Sequence, residues 1–194
     1  MDVDITARIA ARLRTLRTAR ELTLDALAAH SGVSRSMISL IERGETSPTA
    51  VVLERLAGGL GVALAALFEP AIDTADPVSR RATQAVWQDP ASGYQRRNVS
   101  PPAALSPIQI VEVSFPAGAH VTYETGGRAT PIHHQVWVLD GAIEVTVGDA
   151  HHALAAGDCL AFTLDQPTAY RNPTAQPARY AVVIVGGAAH RERA

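Results

Sequence analysis

The sequence predicts an α+β protein of two domains, an all-α N-terminal third with five helices followed by an all-β remainder. Three observations carry this reading. Apolar residues Ile5, Ile9, Leu13 and Leu16 recur at helical spacing, and comparable stripes continue to about residue 68. From Pro70 to about Arg80 the helical period disappears, in a stretch holding Ala71-Ile-Asp-Thr-Ala-Asp-Pro77. Beyond it come short apolar runs broken by Gly, Pro and Asp, with Asp140-Gly141 and Gly148-Asp149 as hairpin turns. The expected boundaries are a helical domain over 1–70, a linker over 71–80, a β domain over 81–186 and a flexible tail over 187–194.

Taken in order, the first helix is expected over about 4–19. Its remaining faces carry Arg8, Arg12, Arg14, Arg17 and Arg20, either a solvated basic face or a set of phosphate contacts. Thr23 is a good N-cap for the second helix, and Asp25 sits where the helix dipole favours negative charge. Leu24, Leu27 and Ala28 make its apolar stripe, His30 is expected to pack at its end, and Gly32 terminates it. Ser34 caps a third helix with Ile38 and Ile41 on one face, ended by Gly44. Its other face carries Arg35, Ser36, Ser39, Leu40 and Arg43, side chains suited to base edges and phosphates. Ser47-Pro48 is expected to open the fourth helix, with Val51, Val52, Leu56 and Leu60 on its buried side and Gly58-Gly59 weakening its end. Gly61 then separates a short fifth helix at about 62–68. Strands are expected near 83–88, 94–99, 108–115, 133–139, 142–147, 159–163 and 179–185.

Composition narrows the classes. The chain has 17 basic and 19 acidic residues, so bulk charge does not announce a nucleic-acid binder; local distribution matters more. Every basic residue is arginine, the side chain of planar, bidentate recognition. Cys159 is the single cysteine, which excludes an internal disulfide and fits a reducing cytosol. No apolar run approaches the roughly 20 residues of a membrane span. The acidic start Met1-Asp-Val-Asp4 has no signal-peptide character. The expectation is a soluble cytoplasmic protein.

The stretch Ala28-Ala-His-Ser-Gly-Val-Ser-Arg-Ser-Met-Ile-Ser-Leu-Ile-Glu-Arg-Gly-Glu-Thr-Ser-Pro48 resembles the helix-turn-helix of lambda-repressor-like (Cro- or XRE-type) DNA-binding domains, with the motif at about 24–43. The resemblance implies a double-stranded DNA operator as partner. The expected contacts are Arg35, Ser36, Ser39, Leu40 and Arg43 on the recognition helix, with Thr23 beside them. It also implies that Arg17 pairs with Glu42, tying the first helix to the third.

In the β domain, Val138-Leu-Asp-Gly141, Ala155-Ala-Gly-Asp158, Pro167 through Asn172 and Ala178-Arg-Tyr180 resemble the core of cupins, small double-stranded β-helix barrels. The likeness covers about 105–186. Counting along its motifs puts Arg128, Thr130, His134 and Thr168 where a metal-binding cupin has its ligands. Arginine has no free lone pair and threonine is a poor neutral ligand. The barrel is therefore expected to hold no metal and no cofactor. His133 and His134 point to opposite faces of one strand, so they do not make a pair of ligands. His120, His151 and His152 have no spacing that assembles a site, and His151-His152 is expected to face solvent.

By strand alternation His134, Thr168, Tyr170 and Asn172 would face inward, with Arg128 and Tyr123 at the mouth of an effector pocket. An inward Arg128 would favour an anionic effector. The expected function is a homodimeric, sequence-specific transcriptional regulator modulated by a small organic effector, not an enzyme and without membrane contact. The alternative is a metal-dependent cupin enzyme, of oxygenase or epoxidase type, with a helical accessory domain. In a third reading the barrel serves only to dimerise.

Overall fold

The structure is a computed structural model that describes residues 5–68, 76–101, 107–124 and 131–186. Helix α1 (Ile5–Thr18) buries Ile9, Leu13 and Leu16, the stripe its spacing predicts. Helices α2 (Leu24–Ser31) and α3 (Arg35–Glu42) follow. Thr23 Oγ1 accepts from Ala26 N at 3.0 Å, and Ser34 Oγ accepts from Met37 N at 3.3 Å. Gly32 closes α2 in the left-handed conformation at φ 66°, which costs glycine little. Helix α4 (Ala50–Leu60) starts later than Ser47-Pro48 suggested. Its cap is Thr49, whose Oγ1 accepts from Val52 N at 3.3 Å. The expected fifth helix is a single 3-10 turn, Leu64–Phe68, so the described residues contain four α-helices and not five. Arg12 Nε donates to Ala66 O at 3.0 Å and Arg8 Nη2 to Phe68 O at 3.5 Å. Both arginines thus hold that turn against α1. His30 is exposed, not packed, because it lies on the outer side of the last turn of α2.

The β domain contains ten strands among the described residues: β1 (Val86–Gln88), β2 (Gln95–Asn98), β3 (Ile108–Phe115), β4 (His120–Tyr123), β5 (Ile132–Asp140), β6 (Ala142–Val147), β7 (Ala150–Ala155), β8 (Cys159–Thr163), β9 (Thr168–Arg171) and β10 (Ala178–Gly186). They form a six-stranded sheet in the order β1-β2-β3-β10-β5-β8 and a four-stranded sheet in the order β4-β9-β6-β7. Every pairing is antiparallel. Among the described residues no strand pairs across the two sheets, so the architecture is two facing sheets, where a closed barrel was expected. β4 and β9 escaped the apolar-run reading because they have four residues each and mix histidine, threonine or arginine with apolar residues; β7 escaped it because alanine and the pair His151-His152 leave Leu154 as its one large apolar residue.

The two parts of the chain share one apolar core, from Ile9 and Leu53 through Phe68, Trp87 and Phe115 to Val145. Phe68 from the 3-10 turn meets Trp87 of β1 edge-on at 5.6 Å. Asp89, in the turn after β1, is buried and accepts from Ala50 N at 2.9 Å. A β-domain carboxylate therefore satisfies an orphan amide at the N-terminus of α4, where the helix dipole favours negative charge. Arg55 of α4 also pairs with Glu124 just past β4. Residues 71–75 of the expected linker over 71–80 lie outside the described residues, as do the expected tail over 187–194, Arg128 and Thr130.

Candidate functional site: a helix-turn-helix face and an interdomain cavity

The N-terminal site is built by α2 and α3. Ile38 and Ile41 are buried, which turns Arg35, Ser36, Met37 and Arg43 outward, with Ser39 and Leu40 half-buried beside them. Arg35 Nε lies 3.3 Å from Asp25 Oδ1 of α2, both side chains largely in water. Such exposed pairs contribute about 0–1 kcal/mol, so Arg35 is released cheaply to another partner. Arg43 is held more firmly: Nε and Nη2 reach the Glu45 carboxylate at 2.6 and 2.9 Å, and Nη1 donates to Ser39 Oγ. The Arg43 hydrogen bond to Glu45 pulls that carboxyl below its ordinary range. Thr23 Oγ1 is already the cap acceptor of α2 and still has its O–H to donate. Met37, 38% exposed, belongs to this face and went unnoticed in the sequence, because its i, i+4 spacing with the buried Ile41 reads as part of the apolar stripe.

Beneath the face, Arg17 Nε and Nη2 donate to Glu42 Oε1 and Oε2 at 2.7 and 2.8 Å, and Arg17 Nη1 donates to Leu22 O at 2.8 Å. The pair is largely shielded, and the hydrogen bond to Glu42 raises the Arg17 pKa. It locks α1, the α1–α2 turn and the end of α3 into one unit.

The second site is a cavity of about 50 Å³ between the sheets and the helical domain. At roughly 10–15 Å³ for each water-sized occupant, it takes about three to five waters. All four tyrosines of the chain line it: Tyr94, Tyr123, Tyr170 and Tyr180. Tyr170 and Tyr180 stack at 5.8 Å, and the Tyr94 and Tyr123 hydroxyls lie 3.1 Å apart. Burial pushes all four phenols up, so they stay neutral donors and acceptors through the physiological range.

Arg96 of β2 sits in an inward row, Trp87–Arg96–Val113–Tyr180–Val138, across the large sheet. It is 6% exposed, and its guanidinium lies over the Phe68 ring at 5.0 Å. Nε and Nη2 of Arg96 have no hydrogen-bond partner. Burial lowers its pKa, opposed by the fields of Tyr94, Tyr123, Glu54 and Tyr180. The cavity's remaining wall comes from the helical domain, through Glu54 of α4, Ala63 and Leu64.

His134 lines this cavity, with its ring 5.5 Å from Phe162, and Tyr123 and Tyr170 line it too. Two expected pocket residues do not. Asn172 is fully buried, but its Nδ2 donates to Phe115, Pro116 and Gln176 carbonyls at 3.2, 3.1 and 2.8 Å. Its Oδ1 accepts from Thr174, so its amide is spent bracing two loops. Thr168 donates to Gln166 O at 3.1 Å and is also outside the lining. The donor set does not fit a cupin metal: of the two motif positions described, one is this engaged threonine and the other is His134, a single imidazole where the cupin motif has glutamate. Arg96, Glu54, Tyr94 and Tyr180 were missed. Gln95-Arg-Arg-Asn98 is wholly polar and gives no sign of an inward face, and Glu54 belongs to the other domain.

A capped helix-turn-helix with an exposed arginine-bearing face, joined to a two-sheet domain with an internal cavity, defines a DNA-binding protein with an appended sensor-like module. Family comparisons agree: a helix-turn-helix domain matches residues 8–69 and a cupin domain matches residues 119–185. The chain is 27% identical over 172 residues to the HTH-type transcriptional regulator SutR of Escherichia coli (strain K12), covering 89% of this chain and 91% of that one. It is 33% identical over 72 residues to the uncharacterized HTH-type transcriptional regulator y4dJ of Sinorhizobium fredii, covering 37% of this chain and 94% of that one. The crystal structure of an HTH_3 family transcriptional regulator from Vibrio cholerae superposes with a TM-score of 0.74 at 29% identity, over 95% of this chain and 98% of that one. The iron(II) form of HppE shares the fold alone, with a TM-score of 0.50 at 18% identity over 92% of this chain and 98% of that one. The chain belongs to the XRE-type HTH transcriptional regulators and carries a cupin domain.

Proposed function

We propose that this regulator reads its operator with α3, as a homodimer, in the cytoplasm, under the control of a small organic effector held between the sheets, and that it performs no catalysis. The observation that carries the DNA-reading residues is the orientation of α3. Its two isoleucines are buried, and the N-terminal end with Arg35 and Ser36 is exposed, the end that enters the major groove in this motif. Arg35 reaches guanine O6 and N7, Leu40 a thymine methyl, Ser36 and Ser39 base edges or sugar, and Arg43 and Thr23 phosphate. The helical domain is taken as 1–70, with the sensor domain over 81–186. The enzyme reading is disfavoured by the donor chemistry around His134 and Thr168 described above.

The test is a gel shift on an operator selected from random duplexes. Arg35→Ala is expected to lose about 1–3 kcal/mol at one base position and to relax preference there. Unchanged affinity and preference would remove Arg35 from the interface.

A further inference from the structure

Five of the seven exposed large apolar side chains among the described residues, Val86, Ile108, Ile110, Trp137 and Val185, lie on one face of the six-stranded sheet. Met37 stands apart from them, on α3. Ile38 and Ile41 anchor that helix, so the fold leaves the Met37 thioether largely unused. Ser34, Arg35 and Ser36 are exposed beside it, and half-buried Leu40 is its neighbour one turn on. The Met37 backbone is settled, since its N–H donates to Ser34 Oγ at 3.3 Å. Arg35 and Met37 lie on opposite flanks of Ser36, about 200° apart around the helix. The Arg35 flank faces Asp25 of α2. Helical side chains lean toward the N-terminus, so the thioether lies along the first turn of α3, the end that enters the major groove in this motif.

We propose that Met37 is a specificity-determining residue that reads the 5-methyl group of a thymine in the operator half-site, distinct from the thymine under Leu40. This rests on the reading of α3 as the helix that contacts DNA. In the major groove the base pairs present hydrogen-bonding atoms and a single kind of apolar group, the thymine methyl. A thioether carries no charge and accepts hydrogen bonds only weakly, so it gains little from phosphate or from a polar base edge. Pressed on such an edge, it would strip away water and supply no partner in exchange. Against a methyl group it loses nothing, and its three rotatable bonds and polarisable sulfur let it settle into contact. Met37 therefore selects thymine twice over, by the contact it makes and by the polar edges it rejects.

Gel shifts with the full chain on an operator selected from random duplexes test this. Each thymine of one half-site is exchanged in turn for uracil, which removes the methyl and keeps every hydrogen-bonding atom. In wild type one such exchange should weaken binding about threefold to fivefold, the worth of one methyl group taken out of water. In Met37→Ala the same exchange should cost less than about twofold, because the contact it removes is already gone. Met37→Gln keeps the length and puts an amide where the thioether stood; it should lose the penalty as well. Leu40→Ala should retain it. Alanine and glutamine are good helix formers at an exposed site, so both Met37 variants should melt with wild type, and either one alone keeps the test readable. The proposal is overturned if the selected half-sites share no thymine, or if no exchange weakens wild type by as much as twofold. It is also overturned if the penalty survives in either Met37 variant or disappears in Leu40→Ala. Arg35→Ala separates this assignment from the reading on which it rests. If Arg35→Ala relaxes base preference while no uracil penalty depends on Met37, only the Met37 assignment falls. If neither Arg35→Ala nor Met37→Ala changes affinity or preference, α3 does not read the operator and both fall.

Discussion

Arg17 and Glu42 show how much one side-chain pair carries in a small helical domain. Two parallel hydrogen bonds and a third to Leu22 O leave Arg17 with few spare donors, and both side chains are mostly hidden from water. Removing Glu42 strands that charge. Glu42→Ala is expected to cost about 3–5 kcal/mol in urea unfolding, against a smaller loss for Arg17→Lys, which keeps the charge but not the planar fork. A midpoint for Glu42→Ala equal to wild type would show the pair to be inert. The tyrosines give a second residue-scale prediction with a definite sign. Their folded pKa values lie above the ordinary phenol value because burial disfavours the phenolate. Folded stability is therefore full below about pH 10 and falls as the unfolded chain's phenols begin to ionise above it. Phenolate absorbance should appear only together with loss of circular dichroism; free titration of one tyrosine in the folded protein would contradict its placement.

Among the elements, α4 is where local propensity and tertiary need disagree. Gly58 and Gly59 are poor helix formers, and propensity alone would end the helix there. The helix continues because α2 lies against it. A Cβ added at Gly59 would come within 2.8 Å of Ser31 Cβ and 3.0 Å of Ser31 Cα. Gly59→Ala should therefore destabilise the protein, despite the roughly 1 kcal/mol that alanine gains in an open helix. A rise in melting temperature would mean that the two helices separate easily. At the other end, Asp89→Ala removes a buried carboxylate from Ala50 N and should cost about 0.5–2 kcal/mol as a lost cap, more if Ser92, which Asp89 also holds, is left unpaired.

For the whole molecule, the outer face of the six-stranded sheet is the surface to explain. Trp137 is half exposed there, and Ile110–Val183 and Ile108–Val185 pair across β3 and β10 beside it. Contiguous exposed apolar surface of this kind marks an interaction site. A second copy of the chain is the proposed occupant, since one helix-turn-helix reads only a half-site. Trp137→Glu should convert a dimer to a monomer by light scattering at micromolar concentration and make exposed Cys159, paired opposite Trp137 in the ladder, react faster with thiol reagents. A wild-type monomer, with or without operator, would refute the dimer.

The sequence by itself determined whatever rests on local spacing. Caps, breakers and 3.6-residue stripes placed α1 to α3, and the order of Gly32, Ser34, Glu42 and Gly44 carried the helix-turn-helix resemblance, because each of those residues acts within one turn of its own backbone. Alternation of Ile143, Val145 and Val147 with polar neighbours likewise revealed β6. His134 and Tyr170 read as inward-facing by the same alternation, together with Thr168 and Asn172, while Tyr123 reads only as lying at the mouth of a pocket. Tertiary structure alone decided the rest. Period 2 says that a residue faces in, but not whether its side chain meets a cavity or a loop; Asn172 braces the distant Phe115 and Pro116 carbonyls as well as the nearby Gln176 carbonyl, and Thr168 turns back on the Gln166 carbonyl just before its strand. Arg96 lies in a polar run whose inward face exists only once β1 and β3 flank it, and Glu54 reaches the same cavity from another domain. Contacts between segments far apart in the chain leave no periodic mark on either one, so the site between the domains could be found only by folding the chain.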